Sequence, residues 1–210
     1  MTVYFDNFVR NMKNRRFAST ITNDELSEMP PAAFGGRIIV VEDEQALAAA
    51  CEYLRVQSII GFDTETRPSF KAGVVHRVAL LQLSTQERCY LIRLSKLRLD
   101  KAVTKILENP EILKVGADVV LDLRALQKLR RFRHDGFIDL QSMMSEWGIA
   151  EKSVRKMAAI VLGLRVSKAQ RLSNWEAAEL TPPQQMYAAT DAWICIEIYD
   201  RLMANRICEK

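Results

Sequence analysis

An α/β fold, a mixed β-sheet flanked by α-helices, is what the succession of apolar patterns along this chain predicts. Three observations carry the prediction. Strand-like segments come first, and two of them, "VALLQLS" and "CYLIRL", are separated only by the polar "TQER", which reads as an antiparallel hairpin. Helical segments then interleave with one more strand and finally stand alone. With 210 residues, 49% hydrophobic and 27% charged, and with no internal repeat or low-complexity tract, the chain has material for one good-sized core.

The elements follow in order. Residues 1–36 combine the basic "VRNMKNRRF", the polar "TNDELSE" and the Pro- and Gly-rich "PPAAFGG", and read as an N-terminal basic arm or short helix before a single domain over 37–210. Next, "RIIVV" suits a strand, "EDEQALAAACEYLRV" a helix and "SIIGFDTE" a second strand. After the hairpin come a helix near residues 100–108, a short strand "LKVG" and a helix "VVLDLRALQKLRRF"; from about Ser153 only helices are expected. The final helix has the clearest start, with Thr181 as N-cap, Pro182 at the first helical position and Gln184 completing a capping box. A similar pairing of Ser173 with Glu176 announces a helix in "SNWEAAEL".

Thirty Lys and Arg against 26 Asp and Glu leave a net charge of +4, which allows a polyanionic partner without demanding one. Cys51, Cys89, Cys195 and Cys208 form no CxxC pair, which argues against a zinc knuckle, a redox motif or a disulfide framework. No apolar run approaches the roughly 20 residues of a membrane span, and the first 20 residues lack a signal-peptide core. The expectation is a soluble, cytoplasmic protein with no membrane association; no protein partner is inferable.

Against this background the acids of "IIGFDTET" stand out. Side chains alternate along a strand, so Asp63 and Glu65 share one face and Phe62 and Thr64 the other. Two carboxylates so placed repel, and partial burial raises the cost of ionising them, so a hard divalent cation is one way to neutralise them. Capping of an exposed strand end beside Arg67 is the other. In the last helix Tyr187 and Asp191 lie four apart on one face, amid Met186, Ala188, Ala189, Ala192, Trp193 and Ile194. In "KVGADVVLDLRAL" Asp122 sits inside an apolar helix, either as a functional acid or in a salt bridge, with Asp118 as N-cap.

Taken together, DxE, then Asp after "KVG", then YxxxD resembles the DEDD superfamily of 3′-5′ exonucleases, in its tyrosine branch. The likeness runs from about Arg37 to Leu202 and includes "VALLQLS", "FIDLQSM" and "RVSKAQRLSNWEAAELTPPQQMYAATDAW". It implies a ribonuclease H-like sheet and 3′-5′ hydrolysis of nucleic acid, DNA or RNA with a free 3′ end. Asp63, Glu65, Asp122 and Asp191 would hold two divalent ions, Mg²⁺ or Mn²⁺, with Tyr187 orienting the attacking water. The second motif offers Ala117 and Asp118 where the family often has a polar residue early, so Asp118 is a fallback ligand. The histidine branch is disfavoured, since neither His76 nor His134 lies near Asp191 in sequence.

For the 3′-end pocket the resemblance suggests Phe62, Thr64, Trp175 and Lys168, with core packing as the alternative for Trp175. The run "QKLRRFRH" gathers Lys128, Arg130, Arg131 and Arg133, a cluster suited to following a phosphate backbone. Arg10, Lys13, Arg15 and Arg16 form a weaker second cluster. A catalytically silent nucleic-acid-binding module with the same fold is the rival reading.

Overall fold

All seven residues of Val78–Ser84 are buried, a pattern that requires cover on both faces of the sheet to which they belong. The computed structural model, which describes residues 17–71 and 73–207, has that architecture. One six-stranded sheet contains β1 (Arg37–Val41), β2 (Ile59–Thr66), β3 (Val78–Ser84), β4 (Arg88–Arg93), β5 (Leu113–Gly116) and β6 (Phe137–Asp139), in the order β1-β4-β3-β2-β5-β6. The pairs β2–β3 and β3–β4 are antiparallel; β1–β4, β2–β5 and β5–β6 are parallel. The expected hairpin is β3–β4. Strand β6, three half-buried residues long, is too short to show an alternating pattern and was not foreseen.

The described helices are α1 (Asn23–Ser27), α2 (Glu44–Leu54), α3 (Lys101–Glu108), α4 (Val119–Gln127), α5 (Leu140–Met143), α6 (Val154–Leu162) and α7 (Pro182–Ile207), with a 3₁₀ turn at Met144–Trp147. One face of the sheet, bearing Ile60, Phe62, Leu81 and Ile92, packs on Leu54 of α2, Leu107 of α3 and Leu123 of α4. On the other, Ala188 and Ala189 of α7 pack on Leu80, Cys89 and Leu91, while Ile194 and Ile198 meet Met157 and Val161 of α6. Helix α7 begins as its sequence announces: the Gln184 amide donates to Thr181 Oγ1 at 3.4 Å, and the Thr181 amide to Gln184 Oε1 at 3.0 Å.

Two helical expectations need correction. Helix α4 stops at Gln127, so the basic run that follows it is a turn and an irregular segment. "SNWEAAEL" forms turns: Asn174 Oδ1 takes the Glu176 amide while the Ser173 hydroxyl donates to Gln170, leaving Ser173 no capping role. At the N-terminus, Thr22 and Glu25 form the capping box of α1, and the Ala32 amide donates to Arg165 O at 2.9 Å, tying this segment to the body. Arg10, Lys13, Arg15, Arg16 and Cys208 lie outside the described residues; Cys51, Cys89 and Cys195 are buried free thiols. No helix among the described residues is long and apolar enough to cross a membrane.

Candidate functional site

The site is built where β2 loses a neighbour. Its residues Ile59–Gly61 pair with β5, whereas Phe62–Thr66 pair with β3 alone, leaving an open edge. The chain leaves β5 at Gly116, where a Cβ would lie 2.7 Å from Phe62 O, so only glycine permits so close a departure. It turns through Asp118 in the left-handed conformation (φ 60°) and enters α4 beside that edge. Asp122, in the first turn of α4, thereby meets β2: Thr64 Oγ1 donates to Asp122 Oδ1 at 2.6 Å.

From the opposite face α7 crosses β2 at Gly61. A Cβ there would collide with the Ala192 carbonyl, so the helix backbone can press on the strand only because this position carries no side chain. The contact seats Asp191 against the first two acids. Carboxylate oxygens of Asp63, Glu65 and Asp191 lie within 4.8 Å of one another.

Like charges at this spacing make ionisation costly. Burial, then Asp191, Asp122 and Glu65, push Asp63 well above the usual carboxylate range. Burial, then Asp191 and Asp122, push Glu65 up to about 9. Asp191 rises to about 7 through burial, opposed by the nearby Tyr187 hydroxyl, and Asp122 to about 7 through burial, opposed by the Thr64 hydrogen bond. Burial and then Asp191 raise Tyr187 further from its ordinary range, so its hydroxyl keeps its proton at neutral pH. None of the ion pairs among the described residues involves these four acids. An all-oxygen donor set without a protein counter-charge suits a hard divalent cation. Gln82 agrees with that: it stands directly opposite Asp63 on the same face, is fully buried, and neither of its amide atoms has a protein partner.

The other sequence-proposed residues divide. Phe62 is 1% exposed and packs edge-on against Phe137 at 5.1 Å, in the core beneath the strand; it does not line a substrate pocket. Trp175 is likewise core, fully buried with its ring 6.0 Å from that of Tyr187. The Thr64 hydroxyl is committed to Asp122. Lys168 is exposed and lines a depression with Arg155 and Arg165. A neighbouring cavity of about 220 Å³, which shares Ala32, Val166 and Ser167 with that depression, adjoins Tyr187 and Asp191, with Gln170 also in its wall. Lys128 and Arg130 line one groove; Arg131 and Arg133 are exposed outside it, the Arg133 amide donating to Glu108. Asp118 occupies the cap position of α4, but its exposed side chain makes no capping bond.

Three contributors were missed. Gly61 was the signal of a close approach inside an apolar run, and Gln82 is a lone polar residue in a wholly buried strand. Asp139 braces the left-handed turn, its Oδ1 accepting the amides of Asp118 at 3.3 Å and Gln141 at 2.9 Å. An Asp before "LQSM" signals an N-cap, though not the long-range bond.

A family model described as a 3′-5′ exonuclease matches residues 38–205. The chain belongs to that family. Among these 3′-5′ exonucleases it is 34% identical over 150 residues to the bifunctional 3′-5′ exonuclease/ATP-dependent helicase WRN of Mus musculus, a match covering 69% of this chain and 11% of that protein. The Nibbler EXO domain of Aedes aegypti superposes with a TM-score of 0.74 at 25% identity, over 83% of this chain and 90% of the domain. Escherichia coli RNase D gives 0.72 at 25% identity, over 80% of this chain and 44% of that one. The chain thus spans well under half the length of the first and less than half of the last of these. The DEDD resemblance and the ribonuclease H-like fold both hold.

Proposed function

We propose that this exonuclease belongs to the tyrosine branch and removes nucleoside 5′-monophosphates from the 3′ end of nucleic acid with the aid of two divalent ions, Mg²⁺ or Mn²⁺. The observation that carries the reading is the convergence of Asp63, Glu65 and Asp191 within 4.8 Å, with Asp122 held alongside by Thr64. Asp63, Glu65 and Asp191 would hold the ion on the side of the attacking water, and Asp63 with Asp122 the second. Bound there, the pair supplies a water acidic enough to attack and positive charge for the departing 3′ oxygen. The chain's own part is preorganisation. Thr64 fixes one oxygen of Asp122, and the Gly61 contact fixes the position of Asp191. Tyr187 keeps its proton and so orients the attacking water by hydrogen bonding; it is not the base.

The silent-module alternative is disfavoured, because four acids and the tyrosine are both retained and brought together. The test is incubation of 5′-labelled single-stranded DNA, recessed duplex and RNA with Mg²⁺ or Mn²⁺. A one-nucleotide ladder shrinking from the 3′ end is expected, absent with Asp63→Asn; wild-type rates in that variant would refute the metal assignment. Tyr187→Phe is expected to slow turnover by about 10²-fold, within the range for a positioned proton-handling group. Its calorimetric Mn²⁺ affinity is expected to stay near wild type, and loss of binding would reassign the residue.

A further inference from the structure

We infer that a basic groove beside the acidic cluster, formed by Arg77, Arg98, Lys128 and Arg130, holds the phosphodiester backbone of the substrate 5′ of the nucleotide being removed. The inference rests on the nuclease reading above. The groove, about 820 Å³, lies where β3 begins and β4 has just ended, with Val78, Ala79 and Leu94 among its lining. Its four cations come from three separate parts of the chain: the β2–β3 connection, the β4–α3 connection and the segment after α4. All four are exposed. The Arg130 guanidinium is tethered by the Leu99 carbonyl at 3.4 Å.

Among the described residues, the ion pairs leave the groove's cations without carboxylate partners, as they also leave Arg155, Arg165 and Lys168 in their own depression. Elsewhere Arg55, Arg67, Arg93, Lys96, Lys156 and Arg206 each pair with a carboxylate. Among the described residues, none of the groove's four cations forms such a pair, so like charges crowd one cavity and repel until an anion enters. Glu176, the acid in the lining, is already engaged by Arg67 at 3.3 Å and His76 at 3.7 Å. That engagement also gives the groove its direction. Arg67 is two residues beyond Glu65, and Thr66 pairs with Val78, so the groove opens one strand away from the acids. At its other end Arg98 and Arg130 also line a second depression, where Glu44 and Asp100 stand with Lys96. A track that lies one strand from the acids and carries four cations fits a few consecutive phosphates. Arginine forks and a lysine bind phosphate oxygens without reading bases. The basic run 127–134 is thereby split: Lys128 and Arg130 face the groove, and Arg131 and Arg133 do not.

The test compares a 20-nucleotide single strand with a dinucleotide, whose one phosphodiester would be taken up at the acids. Binding is read by fluorescence anisotropy in EDTA, where turnover is not required. With Arg98→Ala/Lys128→Ala, affinity for the 20-mer is expected to fall about tenfold, and the slope of log K against log salt to become shallower by about 1.4, two single-strand phosphate contacts. Dinucleotide affinity is expected to hold. Arg131→Ala/Arg133→Ala is expected to leave the ratio between the two ligands near wild type. An unchanged 20-mer affinity in the groove variant, or an equal loss in the Arg131/Arg133 variant, would overturn the assignment. Groove-dependent binding by a wild-type chain that hydrolyses nothing in Mn²⁺ would defeat the nuclease reading and leave the groove standing.

Discussion

Gln82 shows what a single side chain can report. Burying an amide with neither atom paired costs about 1–3 kcal/mol, a penalty that natural cores seldom retain. Its cross-strand partner is Asp63, on the face where the acids gather. Gln82→Leu keeps much of the volume and removes the unpaired atoms, so the metal-free protein is expected to melt at a higher temperature while calorimetric Mn²⁺ affinity falls. A rise in Tm without a loss of affinity would mark the amide as a packing defect unrelated to the acids. The same scale explains why Phe62 and Trp175 are core residues: alternation puts Phe62 opposite the acids, and Trp175 is covered on all sides.

At the scale of elements, the crossing of α7 over β2 decides whether the acids meet. Gly61→Ala inserts a methyl where the Ala192 carbonyl stands. The helix must shift, at a cost of about 1–3 kcal/mol, and Asp191 moves with it. Thermal melts are expected to show the destabilisation, and hydrolysis to fall by more than the lost folded fraction accounts for. Gly35→Ala, where the added methyl would find no atom within 4 Å, is the matched control and is expected to change neither quantity.

For the whole molecule the four acids act together as a pH-dependent load. In the unfolded chain carboxylates titrate near 4, whereas in the folded one Asp122 and Asp191 are raised to about 7 and Glu65 to about 9, with Asp63 also raised. The folded state therefore binds more protons than the unfolded state between these values, so stability falls as pH rises. Denaturant melts in EDTA from pH 5 to 9 are expected to show that decline, flattened in Asp191→Asn. Added Mn²⁺ is expected to stabilise more at pH 8 than at pH 6. Stability rising with pH in EDTA would contradict the buried, unpaired state of the acids.

Alternation along β2 determined from sequence alone that Asp63 and Glu65 share a face, and the Thr181–Gln184 box determined where α7 starts, because both depend on neighbours within one segment. The hairpin and most helices were legible for the same reason. The helix expected at Ser173 failed because the competing Asn174 turn and the burial of Trp175 are settled by what packs above them. Which basic residues share a groove, and that Asp191 and Asp122 reach β2 from opposite faces, were decided only by tertiary structure. Those meetings depend on how layers cross at Gly61 and how the chain departs at Gly116, contacts between segments remote in sequence that no local pattern records.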